Sequence, residues 1–481
     1  MTASRDSEPP ASGDPVGAPV LGDAAEAHAS TTGQCASESA APGEGHDGGF
    51  RALSPREALR RYVLVSFLTW LPPGLMVASS VLLMTSRGLD LAQVGVVTAI
   101  FSAVVVLLEL PTGGLADVVG RRVVLAASAL FSVLALSLMA VAHSFWAFVV
   151  VAVLKGVARA LVSGPAQAWY VDAVHAAEGP EADLKPGLGK GEGMASASLC
   201  AGTLVGGFLP LVVPGGLAVS MIAAAGAAAV LFVVVLFAMP EPPRPRPSAG
   251  TVLRGVPEAI GSGLRLAVAY AGLRRLLFMA FVLGIGLNAI EMLTPGRLAA
   301  LSGAPESGGF VYAVVAAAGY GASGLGAWLA PQAARLLRGP VAAAVVGTVA
   351  GAAAFAFLAV SVAFSGVAGI VAAGAAYVVM FATVTVAEIV RAEMLHQRVS
   401  SARRATMMSV DSLQLQLGGM AGSLALGLLA ARAGTAASWW VAAGVLLLSA
   451  PLYLRLPAAR PAATAVPADR PVPAVEQAAG G

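Results

Sequence analysis

Residues 109–122 read E-L-P-T-G-G-L-A-D-V-V-G-R-R, and they join two long apolar segments, 91–116 and 121–142. The glycines permit a tight turn and a close approach of the flanking segments. Asp117 and the arginine pair stand where the apolar character ends, and a carboxylate there can form charge-assisted hydrogen bonds with arginine. The stretch therefore predicts a short turn between two helices, held by a clasp of opposite charges.

The chain around this turn has 481 residues, of which 57% are hydrophobic and only 11% charged. A soluble domain of average composition carries about 25% charged residues, so a soluble multidomain enzyme, a disordered protein and a collagen are excluded. Its apolar runs also lack the strict alternation of an outer-membrane barrel. Twelve segments reach the ~20 residues that cross a bilayer as a helix. We number them as spans 1 to 12: 62–85, 91–116, 121–142, 144–171, 193–213, 217–239, 275–296, 308–334, 339–361, 366–390, 405–431 and 436–456.

Basic residues are concentrated in every second connection. These are the segment before span 1 and the connections after spans 2, 4, 6, 8 and 10. We take the connection after span 10 to begin at Arg391. The other connections hold only Arg87, Arg297 and Arg432. Because cytoplasmic loops carry an excess of Lys and Arg, both chain ends are predicted to be cytoplasmic. Scarce lysine beside abundant alanine and glycine is typical of GC-rich coding, which favours a bacterial plasma membrane.

Both ends of the chain differ in composition from the spans. Residues 1–55 are acidic and poor in apolar side chains, and residues 458–481 are rich in Ala and Pro. Such segments bury too little apolar surface to fold. Two disordered cytoplasmic tails are therefore predicted.

The longest connection, 240–273, falls midway along the chain. It opens with the stiff stretch E-P-P-R-P-R-P and continues as a predicted amphipathic helix near 251–272, lying on the membrane surface. It divides the chain into six-helix halves, 56–239 and 274–457, an arrangement typical of transporters.

The turn resembles the signature loop of the major facilitator superfamily, G-x-L-a-D-r/k-x-G-r/k-r, which lies between spans 2 and 3 of twelve. Val118 departs from it, since a basic residue is usual there. Two more motifs, S-G-P-A-Q-A-W-Y-V-D at Ser163–Asp172 and R-R-A-T-M-M-S at Arg403–Ser409, resemble a bacterial branch rich in drug and antibiotic exporters. The matching loop residues are Gly113, Leu115, Asp117, Gly120, Arg121 and Arg122.

This resemblance implies an all-α membrane protein with twelve transmembrane helices in two six-helix halves. In this family the acidic residue that ends span 4 commonly joins the loop's charges. Asp172 holds that place and could pair with Arg121 or Arg122. Asp117 would face the start of span 11, where a helix N-terminus favours a carboxylate. Both contacts would lock the outward-facing state.

Four charged side chains fall within the spans: Glu109, Lys155, Arg159 and Glu291. Each costs at least about 2.5 kcal/mol at mid-bilayer, so each needs a partner or a function. Glu109 is either a protonatable site, tuned by burial and by Arg159, or a static partner of Arg159 or of the clasp. Lys155 and Arg159 share one helix face, and Lys155 can attract an anionic substrate.

Arg159 and Glu291 join Glu109 as candidates for proton coupling. The resemblance implies this for Arg159, since an arginine in span 4 of the family's drug antiporters is linked to proton transfer. Glu291 either titrates, selects a cationic substrate or simply lies near the outer mouth of span 7.

The central cavity in this superfamily is lined by spans 1, 4, 7 and 10. Pro72 and Pro73 are expected to break or kink span 1, which is tolerated beside a cavity. For each aromatic or Met candidate the alternative is plain helix packing. The candidates for the substrate cavity are Thr69, Trp70, Lys155, Ser163, Asn288, Tyr377, Met380 and Thr383.

No nucleophile constellation, metal-ligand spacing or phosphate loop occurs in the sequence, so we expect neither an enzyme nor a cofactor or metal. We predict a monomeric secondary transporter that exports a small amphipathic compound by proton-coupled alternating access. Its partners are then a small-molecule substrate, protons or another ion, and the lipid bilayer, but no nucleic acid. An importer of a small metabolite, by symport or facilitation, and a non-transporting membrane receptor remain alternatives.

Overall fold

The computed structural model describes residues 53–241, 261, 265, 270–399 and 401–457. The side chains of residues 110, 111, 113, 114, 117 and 401–406 lie outside this description. So do nearly all of both predicted tails and the predicted amphipathic helix near 251–272, which remain predictions.

Twelve helical spans in the described residues are long and apolar enough to cross a membrane. The predicted all-α, twelve-span architecture is confirmed, and most helices extend beyond the predicted apolar segments. Span 4 consists of two helices, span 9 ends in a short 3₁₀ turn at Ser361–Ala363, and a four-residue helix, Pro451–Leu454, follows span 12. In chain order the helices of the spans are Pro55–Ser86, Leu91–Val119, Arg121–Val141, Phe145–Val162 with Pro165–Glu178, Lys185–Val212, Ala218–Ala238, Ala271–Ser302, Pro305–Leu336, Pro340–Val360, Gly366–His396, Ser401–Ala433 and Thr435–Ser449.

Several helices begin at side chains that satisfy the free backbone N–H groups of a first turn. Ser54 and Glu57 form a reciprocal capping box at the start of span 1, and Asp90 and Gln93 form another at the start of span 2. Ser144 caps the start of span 4. The starts of these three helices therefore rest on local chemistry as well as on hydropathy, and the cap of span 1 places its start at Pro55, seven residues before the predicted apolar segment.

The packing of spans 1–6 is repeated in spans 7–12. Span 1 packs on spans 5 and 6, span 3 on spans 4 and 6, and span 2 on span 4. The corresponding pairs, span 7 on 11 and 12, span 9 on 10 and 12, and span 8 on 10, are also in contact. The two sets of six meet where span 2 packs on span 11 and span 5 packs on span 8.

Glycines allow the backbones to approach closely at these contacts. A Cβ on Gly95 of span 2 would overlap the carbonyl oxygen of Ser423 in span 11, and one on Gly427 would lie 3.2 Å from the Cα of Gly95. Gly74 and Gly202 face each other in the same way between spans 1 and 5. Small residues are the usual means of packing helices in lipid.

Span 4 is interrupted where the sequence analysis expected a continuous segment. The first helix ends at Val162, Gly164 adopts a left-handed conformation with φ +95°, and Pro165 begins the second helix. Proline lacks an N–H and disfavours helical geometry in the preceding residue, so Gly-Pro ends one helix and starts another. Of the break or kink expected at Pro72 and Pro73, the break does not occur, because span 1 continues as a helix through both residues.

Two of the three arginines on the predicted external side bind helix ends. The Arg87 guanidinium donates to the carbonyls of Met139, Ala140 and Ala142 at the end of span 3. Arg297 donates to three carbonyls at the end of span 9, those of Ser361, Val362 and Phe364. A helix C-terminus leaves carbonyls unpaired and carries partial negative charge. Spans 3 and 9 hold the same place in the two sets of six, so the same device occurs twice.

Candidate functional site

A cavity of about 440 Å³ lies among spans 1, 2, 3, 4, 6 and 7. Ligand pockets of drug-sized molecules are typically about 300–1,000 Å³, so it can hold a small organic compound. Its wall is mostly apolar, with side chains such as Met76, Phe101, Leu136, Phe148 and Met292. The predicted site residues that line it are Thr69, Trp70, Lys155, Arg159, Asn288 and Glu291.

Span 4 supplies the two cations of the cavity. Lys155 and Arg159 are four residues apart in one helix, which places them on the same face about one turn apart. The Lys155 ammonium lies 5.6 Å from the ring centroid of Phe101 in span 2, a cation–π geometry. Neither side chain forms a hydrogen bond or an ion pair with any residue that the structure describes.

Span 7 supplies the carboxylate. Asn288, Glu291 and Met292 are the lining residues from the second set of six. The Oγ of Ser423 in span 11 donates to the Oδ1 of Asn288 at 2.8 Å, which fixes the amide. Within the described ranges Glu291 forms no hydrogen bond or ion pair, and its side chain is accessible. Among the described residues, the cavity thus contains two basic side chains and one carboxyl side chain that form no hydrogen bond or ion pair.

Four predicted cavity residues are not among its lining residues. Ser163 is exposed at the break in span 4. Tyr377 and Met380 are fully buried among other helices, where the Tyr377 ring stacks on Phe381 at 4.8 Å. The Thr383 hydroxyl donates to the Val379 carbonyl of its own helix. The face of span 10 that carries these residues packs in the protein core, which favours the alternative of plain helix packing.

Glu109 lies outside the cavity lining, in the contact between spans 2 and 11. Ser412 of span 11 donates to its Oε1 at 3.3 Å. Its Oε2 is buried and accepts no hydrogen bond from the described residues. Glu109 therefore contacts the second set of six, and among the described ion pairs none joins it to Arg159.

The signature turn brings its charges together as follows. An Arg121 nitrogen lies 2.6 Å from an Asp172 oxygen, joining the start of span 3 to the second helix of span 4. The backbone N–H of Arg122 donates to Oε1 of Glu241 at 2.6 Å, so Glu241 caps span 3. Gly120 has φ +116°, and a Cβ there would lie 2.5 Å from the Glu241 carboxylate. Leu115 is half-buried on span 2, whereas Gly113 and the Asp117 side chain lie outside the described residues.

A family model of the Major Facilitator Superfamily matches residues 62–393, well over half of the chain. The protein belongs to the Major Facilitator Superfamily. This confirms the superfamily named from the signature loop, while the drug-exporter branch stays a prediction. The protein is accordingly a multi-pass membrane transporter with a small-molecule substrate.

Solved structures of other transporters share this major facilitator fold. The nucleoside transporter NupG is 15% identical, with a TM-score of 0.68, over 83% of this chain and 98% of that chain. A bacterial homolog of the human lysosomal transporter Spinster is 16% identical, with a TM-score of 0.65, over 83% and 96%. A POT family transporter is 13% identical, with a TM-score of 0.61, over 82% and 95%. No curated protein matches the sequence.

This transporter also contains a buried charge cluster that the sequence analysis missed. Arg391, assigned above to a loop, lies inside the helix of span 10 and is only 2% exposed. Its guanidinium donates to both oxygens of Asp411 in span 11 at 2.7 and 2.8 Å, to Glu388, and to the Leu276 carbonyl of span 7. The spacing of Glu388 and Arg391, three apart, was the available signal, because it predicts a pair on one helix face.

Glu241 was the second missed residue. It stands at the start of the long connection between the halves, and nothing in its local sequence indicates a contact with the N-terminus of span 3. Its position is fixed by neighbours, since Trp169 donates to the Pro240 carbonyl at 3.0 Å and Arg61 to the Ala238 carbonyl at 3.2 Å.

Proposed function

We propose that this transporter exports a small, amphipathic organic compound from bacteria in exchange for protons, by alternating access of its two six-span halves. The observation that carries the proposal is the cavity itself, which residues from both halves line. Its wall is largely apolar, yet Lys155, Arg159 and Glu291 enter it without polar partners in the described residues. Such a site suits a compound with an apolar body and polar ends.

Proton coupling is assigned to Glu109, Arg159 and Glu291. Glu109 is suited to sense the arrangement of the halves, since its partner Ser412 belongs to the other half. When spans 2 and 11 separate, Glu109 loses this hydrogen bond and becomes exposed to water, so its surroundings change with the conformation. Arg159 and Glu291 link proton binding to the cavity because both line it.

The clasp at the signature turn restrains the rocking motion. The Arg121–Asp172 contact joins spans 3 and 4, and Glu241 joins the end of span 6 to the same turn. This keeps the predicted cytoplasmic ends of one half together as a unit. In this assignment the signature residues, including Asp117, act on the equilibrium between conformations and do not touch the substrate.

The distribution of basic residues supports a plasma-membrane protein with both ends in the cytoplasm. Arg87 and Arg297 do not weaken this argument, because each neutralises the carbonyl end of a helix. The proposed transporter acts as a monomer.

Membrane vesicles test the proposal. A panel of toxic compounds is first screened for those against which expression protects growing cells. Energised everted vesicles should then accumulate such a compound, and a protonophore should abolish the accumulation. Accumulation in right-side-out vesicles instead would identify an importer and overturn export.

Two variants test the coupling residues. Glu109→Gln should abolish proton-driven accumulation while leaving downhill exchange of the compound. Glu306→Gln, a carboxylate in the first turn of span 8, is the matched control and should behave as wild type. Unchanged proton-driven accumulation in Glu109→Gln would remove Glu109 from the mechanism.

A further inference from the structure

The charges of the cavity define a class of substrate more narrowly than its apolar wall does. Lys155 and Arg159 project from one face of span 4, and Glu291 enters from span 7. The described residues offer none of the three a hydrogen bond or an ion pair within the cavity. A charge in a site of low polarity is costly until it is paired, so a substrate that pairs with all three gains the most.

From this arrangement we infer that the substrate is a zwitterion: a small molecule with an anionic group at one end, an amine at the other and an apolar body between them. The anionic group binds Lys155 and Arg159, and the ammonium group binds Glu291. This inference rests on the proposed transport function and specifies the substrate of the same cavity.

The signs of the three charges distinguish a zwitterionic substrate from a cationic, an anionic or a neutral one. A lipophilic cation can pair with Glu291 but leaves both cations of span 4 unpaired and is repelled by them. An anion satisfies span 4 and leaves Glu291 unpaired, and a neutral compound leaves all three charges unpaired. A zwitterion is the class in which each charge of the cavity meets an opposite charge.

The rest of the lining fits the apolar body. Phe101 already faces the Lys155 ammonium, and Met76, Leu136 and Phe148 line the same cavity. Asn288, one helical turn from Glu291, is held by Ser423 and adds a polar side chain to the same part of the lining.

A matched set of probes tests the inference by binding to purified protein in lipid nanodiscs, without any gradient. The zwitterionic probe is a biphenyl with an aminomethyl group at one end and a carboxylic acid at the other. Its methyl ester is the cation, its N-acetyl derivative is the anion, and the doubly blocked compound is neutral. We expect the zwitterion to bind at least about tenfold more tightly than each blocked form, as for loss of one partly buried charge pair.

Variants then assign each end of the probe. Glu291→Gln should abolish the preference for the zwitterion over the N-acetyl form and keep the preference over the ester. Lys155→Gln and Arg159→Gln should each weaken the preference over the ester, and the double variant should abolish it, while the preference over the N-acetyl form is kept. The controls Glu306→Gln and Arg432→Gln, which carry charges outside the cavity lining, should keep the wild-type order, and size-exclusion profiles check that every variant is folded.

Several binding results would overturn the inference of a zwitterionic substrate. Tightest binding of the ester, equal binding of all four forms, or no binding of any form at millimolar concentration overturns it. An unchanged order in Glu291→Gln also overturns it. Probe binding is measured without a gradient and so does not depend on proton coupling. The expected order of binding together with a failure of proton-driven transport would therefore reject the proposed coupling and retain the proposed substrate class.

Discussion

At the scale of single residues, this transporter uses its few charges in distinct ways. Arg121 and Asp172 form a pair near the predicted cytoplasmic surface, with side chains 13% and 31% exposed. Arg391 and Asp411 are almost completely buried. Lys155, Arg159 and Glu291 line the cavity without partners of their own in the described structure. The presence of a charged partner therefore separates the structural pairs from the charges that are available to a ligand.

The Arg121–Asp172 pair should affect transport and leave binding unchanged. Asp172→Asn and Arg121→Gln are each expected to slow transport several-fold, because they weaken a contact that holds spans 3 and 4 together. Since both variants remove one interaction, the double variant should be no slower than either single variant, with a coupling energy of about 1–2 kcal/mol. Initial transport rates and probe binding are the measurements.

Glu181→Gln is the control for this pair, as an exposed carboxylate between spans 4 and 5. Additive effects of Arg121→Gln and Asp172→Asn would show that the two side chains act independently, against the clasp.

The buried cluster should dominate stability. Asp411→Asn leaves the Arg391 guanidinium without its bidentate carboxylate, and we expect the free energy of unfolding to fall by roughly 3 kcal/mol. Glu388→Gln should cost less than about 1 kcal/mol, because Glu388 is 34% exposed and water screens its charge. Equilibrium unfolding in mixed micelles measures both values. Equal losses for the two variants would contradict this ranking.

At the scale of helices, the spans could be predicted because hydropathy and length decide which segments enter a membrane. The rotation of each helix about its axis could not, since nearly every face of an apolar span is apolar. Tyr377 and Met380 show the consequence: span 10 was predicted to face the cavity, yet both residues pack in the core. Lys155, Arg159 and Glu291, which were singled out as charges inside spans, do line the cavity, since a charge inside a span has few other places to go; their roles stay predictions.

The close contact between spans 2 and 11 should not tolerate a larger residue. Gly95→Ala introduces a Cβ where the Ser423 carbonyl lies, and overpacking of this kind costs about 1–3 kcal/mol. We expect slower transport, because spans 2 and 11 can no longer approach each other as closely where Gly95 faces Ser423. Transport rates compared with Gly226→Ala test this, since a Cβ on Gly226 in span 6 meets nothing within 4 Å. Wild-type rates in Gly95→Ala would mean that the contact is not used.

At the scale of the whole molecule, the same helix contacts occur in both sets of six, and both use an arginine to hold a carbonyl end. The midpoint connection was the sequence signal for this repeat. The spatial pairing of spans 2 with 11 and 5 with 8 was not visible in the sequence, because contacts between distant helices depend on side chains that meet only after folding. The Glu241 contact at the signature turn is of the same kind.

The two halves are expected to assemble when made as separate chains. A gene divided between Glu241 and Ala271 should give two fragments that co-purify and restore part of the transport activity, because spans 2 with 11 and 5 with 8 provide extensive contact. Fragments that fold only when joined would contradict the division into halves. Co-expression of each fragment with an empty vector is the control.

The unequal lining of the cavity has a consequence for how this protein evolves. Five of the six spans around it belong to the first half, and span 7 alone represents the second. Selection for a new substrate range acts on the residues that touch the compound, so adaptive substitutions should accumulate within residues 69–162, with fewer at 228–231 and 288–292. Residues 340–457 would instead change under selection for folding or turnover. A library of random variants can be selected for growth on a new toxin and then sequenced. The selected substitutions should be more frequent in the part of the gene that encodes the first half than in the part that encodes the second.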